Sequence, residues 1–193
     1  MLQIAISPGC VEAALAAGEL ACPGCSGRLS PWGFARSREV RLADEVRSLR
    51  PRRALCGGCG ATHVLLAAWA IPRRRDGAEV IGQALALASQ GAGHRVIARR
   101  LRRPPGTVRG WLRAARRHAQ SLRACATRWA YALDPDELGA VTPAGSELGD
   151  AVEALGIAAR AWTLRFGPGT AGGWQRAVAL TGGLLCGVPP PVR

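Results

Sequence analysis

The stretch from Gly93 to Arg117, GHRVIARRLRRPPGTVRGWLRAARR, decides how the rest of the chain is read. Its first half predicts a short helix with Val96, Ile97 and Leu101 on one apolar face and with Ala98 small enough to let a second helix cross closely. Pro104 cannot continue that helix, whereas Pro105 suits a first helical position, so a second helix restarts at Pro105 or Gly106 and runs to Arg117. On this second helix Val108, Trp111, Leu112 and Ala115 recur at helical spacing and point inward, which leaves Arg109, Gly110, Arg113 and Arg116 along the outer side. Two helices, a tight turn and this division of faces predict a helix-turn-helix.

A recognition helix needs such a division, because its inner side must anchor on the preceding helix while its outer side lies in a major groove. Arginine there bonds guanine edges bidentately or grips phosphates. The sequence therefore marks Arg109, Arg113 and Arg116 as groove or phosphate contacts and Thr107 as a phosphate ligand at the helix start. Arg95 and Arg99 on the helix before it are added as further DNA contacts. The competing reading is an ordinary helical hairpin with a solvated basic face. The stretch resembles the helix-turn-helix of bacterial repressors and transposase N-termini, in which a small residue in the first helix and a TVxxWL-like second helix are common. Arg102 and Arg103 depart from that pattern, standing at the turn where those families often have Gly and an apolar residue.

Charge supports the same region. The formal net charge is +13 over 193 residues, and residues 28 to 128 hold 22 of the 26 basic residues but only five acids, for a regional charge of +17. The flanking parts each carry −2. Polyanion binding is thus expected of the middle of the chain. Every basic residue is Arg, which partly reflects a GC-rich coding bias.

Seven cysteines are present, an odd number, and four of them form Cys22-Pro-Gly-Cys25 and Cys56-Gly-Gly-Cys59. In each pair the intervening Gly lets the backbone curl into a knuckle that aims both sulfurs at one ion, and two knuckles complete a tetrahedral site for a structural Zn2+. Closing such a site also supplies folding energy to a segment too small for a core of its own. A thioredoxin-like redox pair is the rival for either motif, but two pairs and no visible βαβ pattern favour metal. His63 follows Cys59 by four residues and is expected to pack or hydrogen-bond beside a site that the four thiols already fill. Cys10 reads as a small packing residue.

The expected fold class is mainly α with a small β zinc ribbon, followed by a trihelical helix-turn-helix and a helical C-terminal tail. Residues 1–20 offer a short strand, Leu2 to Ile6, and a helix around Val11 to Ala17; residues 21–70 form the ribbon, with β pieces in Trp32 to Leu42 and Pro51 to Leu66. Residues 71–77, IPRRRDG, read as a basic linker, and 78–120 hold the three helices, beginning with Ala78 to Gln90. His94 is placed at the start of the middle helix as a cap or phosphate contact. Within 121–193 the recognition helix is expected to run on past His118 to Asp134, and helices are expected over Glu147 to Phe166 and Trp174 to Leu185. The ribbon arginines, from Arg36 to Arg53, read either as a second phosphate-contacting surface or as a solvated rim. Trp129, Trp162 and Trp174 read either as a small helical core or as a surface for a homodimer or another partner.

Taken together, the four-cysteine ribbon, the run RPRRALCGGCGATHVLL, the PRRRDG linker and the Gly93–Arg117 stretch resemble an uncharacterised family of actinobacterial proteins. In that family a zinc ribbon precedes a helix-turn-helix, and members look like accessory or N-terminal parts of insertion-sequence transposases. The resemblance spans roughly residues 10 to 120 and implies recognition of element ends or of a promoter in double-stranded DNA. No catalytic constellation is visible: the later acids (Asp134, Asp136, Glu137, Glu147, Asp150, Glu153) fall in a loop and a helix rather than on the strands that two-metal phosphoryl transfer uses. With no apolar run of membrane length and no basic signal region at the start, a cytoplasmic, non-enzymatic protein is expected. Two other functions remain open on sequence grounds, a non-catalytic adaptor for a separately encoded recombinase and an RNA-binding zinc-ribbon protein.

Overall fold

A computed structural model of the chain describes residues 2–4, 8–136, 142–183 and 185. Seven helices and a small sheet make up these residues, in the order β1 (Leu2–Ile4), α1 (Pro8–Ala17), β2 (Leu29–Phe34), β3 (Arg38–Arg41), β4 (Val46–Leu49), β5 (Arg52–Cys56), β6 (Thr62–Ala67), α2 (Ala78–Ser89), α3 (His94–Leu101), α4 (Pro105–Arg117), α5 (Ala119–Leu133), α6 (Glu147–Phe166) and α7 (Gly173–Leu180). The mainly helical fold with a small β part thus follows the expectation, at about half helix.

Strands β1-β6-β5-β2 form one sheet in that order, with β1 parallel to β6 and the other neighbours antiparallel. Helix α1 covers one face by setting Val11 and Leu15 against Leu29, Ala54 and Leu65, and this small core also takes in Cys22 and Cys56. The hairpin β3–β4 packs separately, with Val40 and Leu49 buried on Leu66 and Ala70. Strand β4 was not legible in the sequence, because only Leu49 of its four residues is buried and the rest face outward. Residues 5 and 6 of the expected first strand, the side chain of Cys10 and the Pro189–Pro191 run lie outside the described residues.

Residues 71–77 are a packed joint between the sheets and the helices. Arg38 donates to the carbonyls of Ile71 and Arg74, the Arg41 N–H reaches the Arg75 carbonyl at 2.6 Å, and the Gly77 N–H returns to the Arg41 carbonyl at 2.9 Å. Asp76 is 2 % exposed, and its two oxygens accept from Arg41 Nη2 at 2.7 Å and Arg103 Nε at 2.6 Å. Arg103 also donates to the Leu42 carbonyl at 2.7 Å, so one guanidinium from the α3–α4 turn ties that turn to the end of β3. The residue before it, Arg102, caps α3 in the left-handed conformation (φ 51°, ψ 48°), where glycine is the usual occupant.

Helices α2 to α7 share one apolar core. Ile81 and Leu85 of α2, Ile97 of α3, Val108, Trp111 and Leu112 of α4, Ala126 and Ala130 of α5, Leu155 and Ile157 of α6 and Val178 of α7 all belong to it. The C-terminal helices therefore complete the core of α2–α4 rather than trailing from it. Trp174 of α7 lies flat against Gly82 of α2, where an added methyl would sit 2.0 Å from the indole. Helix α6 has the predicted bounds, with the Ser146 hydroxyl accepting from the Gly149 N–H as its cap.

Three expectations are corrected. Val96 is 58 % exposed, so the buried face of α3 is Ile97 and Ala98 with half-buried Leu101. The second helix of the pair does not run through to Asp134: it ends at Arg117, and His118 caps both α4 and α5, its N–H bonded to the Ala115 carbonyl and its carbonyl to the Leu122 N–H. Beyond this turn Ala119 and Leu122 pack against Ala151 of α6. Helix α7 stops at Leu180 instead of Leu185, because Gly182 and Gly183 take positive φ and the Gly183 N–H closes on the Val178 carbonyl.

Two substitutions test this architecture by thermal or denaturant melting. Asp76→Ala leaves the Arg103 guanidinium enclosed with no counter-charge and is expected to cost about 3 kcal/mol or more. Gly82→Ala drives a methyl into Trp174 and is expected to cost about 1–3 kcal/mol and to shift the tryptophan emission, while Gly93→Ala, with open space around it, changes neither.

Candidate metal centre and nucleic-acid interface

The two CxxC loops fold alike, down to individual backbone bonds. In each, the N–H two residues after the first cysteine points at its sulfur, Gly24 to Cys22 at 3.4 Å and Gly58 to Cys56 at 3.3 Å. In each, the first cysteine's carbonyl takes the N–H four residues on (Ser26, Gly60), and its own N–H bonds the carbonyl five residues on (Gly27, Ala61). Ser26 and Gly60, the matching positions, both have positive φ, 58° and 70°. The register pairing Leu29 with Cys56 brings the loops together. Gly27 eases this approach, since a β-carbon there would lie 3.0 Å from Cys56 Sγ and 3.2 Å from the Gly58 nitrogen, tight contacts that the neighbours would have to relieve.

The result is a cluster of Cys22, Cys25, Cys56 and Cys59 whose sulfurs all lie within 4.8 Å of one another and which can hold a metal ion. Cys22 and Cys59 approach to 3.8 Å and Cys25 and Cys56 to 3.4 Å. Cys22 and Cys56 are buried, whereas Cys25 and Cys59 face solvent. The thiols differ in acidity. Cys56 is drawn down to about 6, first by the Cys59 backbone N–H acting against burial. Cys25 is pushed up to about 12: the Gly27 N–H favours its thiolate, but the neighbouring thiols of Cys56, Cys59 and Cys22, together with burial, prevail. His63 lies beside this centre with Nε2 3.4 Å from Cys22 Sγ, and burial lowers its pKa.

The second feature is the outer side of α3 and α4. Val108, Trp111, Leu112 and Ala115 are buried, as the spacing of the sequence predicts, and Arg109, Arg113, Arg116 and Arg117 are exposed. Thr107 is half-buried at the start of α4, and its N–H is bonded to the Pro104 carbonyl. Arg95, Arg99 and Arg100 are exposed on α3, while His94, the first residue of α3, is half-buried. None of these arginines forms an ion pair with a described residue, and the sequence contains no acid between Glu79 and Asp134. Nothing crowds the outer side near Gly106 or Gly110, where an added β-carbon would meet no atom within 4 Å.

Sequence reasoning missed Arg41, Asp76 and Arg103 as a unit, although Arg103 had already stood out as a charge in an apolar turn position. It also passed over Trp32 and Phe34, which are 53 % and 48 % exposed on β2. Two residues apart, they fall on one face of a regular strand, and hydrophobicity alone gave no sign that this face is the open one. No described helix is long and apolar enough to cross a membrane. Compared with family models, curated proteins and solved structures, the chain matches none.

Cobalt(II) is a spectroscopic probe of the thiol cluster. One ion per chain is expected to bind with thiolate charge-transfer bands, and Cys59→Ser is expected to abolish them. His63→Ala should keep the bands and weaken affinity by about 10-fold, as loss of a supporting hydrogen bond does. Because the cysteine thiols must lose their protons to ligate, affinity should fall as pH falls.

Proposed function

We propose that the chain is a sequence-specific DNA-binding protein in which α3 and α4 act as a helix-turn-helix, with α4 in the major groove and a structural Zn2+ in the four-cysteine centre. The observation that carries this reading is α4 itself: a wholly buried apolar side backed by the shared core, and an opposite side of arginines that form no ion pair with a described residue, Arg116 alone sharing a recess with an acid, Glu147. A rigid helix that presents cations alone is suited to a polyanion, and the fork of arginine adds discrimination among base edges. Arg109, Arg113 and Arg116 are the groove and phosphate contacts in this reading. Arg95 and Arg99 reach the flanking backbone, and Thr107 lies at the helix start, where a phosphate is favoured.

Zinc fits the donors present. Tetrahedral coordination by four sulfurs at about 2.3 Å requires sulfurs about 3.8 Å apart, and the pairs at 3.8 and 3.4 Å lie near that spacing. The ion would draw Cys22, Cys25, Cys56 and Cys59 together and stabilise a ribbon whose own core is small. The resemblance to zinc-ribbon and helix-turn-helix regions associated with transposases suggests that the DNA is an element end or a promoter. In this reading the protein binds and does no chemistry. Exposed Trp129, Tyr131, Leu164 and Phe166 on α5 and α6 favour an additional contact there, with a second copy or a recombinase.

The test is selection of bound duplexes from a random pool by the zinc-loaded protein, followed by salt titration. A defined motif is expected, with affinity falling steeply as salt rises. Arg109→Ala or Arg113→Ala should lose about 1–3 kcal/mol and relax preference at one position if it reads a base, or weaken all sites alike if it holds a phosphate. Full affinity and unchanged preference in the Arg109, Arg113, Arg116 triple alanine variant would refute the assignment of α4.

A further inference from the structure

The exposed face of β2 combines aromatic rings with guanidinium groups. Trp32 and Phe34 project from it, and the guanidinium groups of Arg50 and Arg52 lie over the Phe34 ring at 4.8 and 4.6 Å. Arg36 is exposed two residues further on. Glu12 is the acid that reaches this face, paired with Arg52 at 2.8 Å, and Arg50 has no ion-pair partner among the described residues.

Strand β2 is an edge of the sheet, which would ordinarily invite a further strand. Here the edge is closed to that use. Pro31 has no N–H to donate, the register breaks between Pro31 and Phe34, Gly33 takes φ 77°, and the Gly33 carbonyl is already occupied by Arg52 Nη1 at 2.9 Å. A peptide cannot extend the sheet there, so recognition falls to side chains. What they offer is a flat indole, a ring capped by guanidinium planes and a surplus of positive charge. That combination matches a ligand with flat π faces joined by phosphates.

We infer that Trp32, Phe34, Arg36 and Arg50 form a binding site for single-stranded DNA, in which an unpaired base stacks on Trp32, the next meets the Arg50 guanidinium, and Arg36 and Arg50 hold the connecting phosphates. The choice of DNA over RNA rests on the reading of α4 given above. The site is separate from α4, so the protein contacts an unpaired strand and a duplex through different residues.

The experiment measures anisotropy of a labelled oligothymidylate of about 12 nucleotides and of a duplex with the full zinc-loaded chain, with unlabelled oligouridylate and heparin as competitors. Trp32→Ala is expected to weaken oligothymidylate binding by about 5- to 150-fold, the range for loss of one stacked base, with duplex affinity unchanged, and Trp32→Phe should restore most of the loss. Arg109→Ala should do the reverse. Because Trp32 is exposed, its variants are expected to melt like the parent, and melting is measured on the same samples. Equal oligothymidylate binding by parent and Trp32→Ala would overturn the inference, as would heparin displacing the oligonucleotide as well as oligothymidylate itself. Tighter, Trp32-dependent binding of oligouridylate would overturn the assignment to DNA. Trp32-dependent oligothymidylate binding without any duplex binding would support this site while refuting the role given to α4.

Discussion

The carboxylate of Asp76 is enclosed where water does not solvate it, and a charge in that position is stable only when its oxygens are met by donors. Arg41 and Arg103 meet one oxygen each, and they come from different halves of the fold, the end of β3 and the α3–α4 turn. A buried pair of this sort adds little net stability against an apolar replacement, but removing one partner leaves the other charges enclosed and uncompensated. Arg103 makes the requirement stricter by also reaching the Leu42 carbonyl. The ribbon and the helices are therefore held by a directional polar joint, in contrast to the apolar contacts that unite α2–α7.

Around that joint the two halves are stabilised by different means. The β half has a small core of seven buried residues, two of them cysteines of the cluster. The helical half is a larger apolar assembly in which α5, α6 and α7 cover the inner sides of α2 and α4. Tolerance of close approach matters there as much as hydrophobicity: Gly82 admits the Trp174 indole, and Gly172 lies so near the Glu79 carboxylate that a β-carbon would be 2.2 Å from its oxygen. Glu79 in turn receives the Gln175 N–H at the start of α7, and burial raises its pKa.

Legibility in the sequence followed the range of the interaction. The inner side of α4, the CxxC loops and the bounds of α6 depend on local spacing, capping and loop chemistry, and all three could be read from neighbouring residues. The break at His118 could not, because nothing local stops a helix there, and the contact of Leu122 with Ala151 of α6 beyond it is distant in the chain. The exposure of Val96 was hidden for a similar reason, since Val96 and Ile97 are equally apolar and only the position of α2 and α4 decides which one is covered. Asp76 stands in a stretch that reads as a basic linker, and its burial depends on partners 35 and 27 residues away in the chain.

The outer side of α4 carries only guanidinium groups, as does every cationic side chain of this lysine-free sequence apart from histidine. Guanidinium does not deprotonate in proteins, and it offers no amine to acetylating enzymes. The charge of this helix is thus beyond the reach of the commonest neutralising modification. Whatever anion meets it, mobile counter-ions in the surrounding solution remain the means of loosening the grip, and their concentration sets how far the helix can let go.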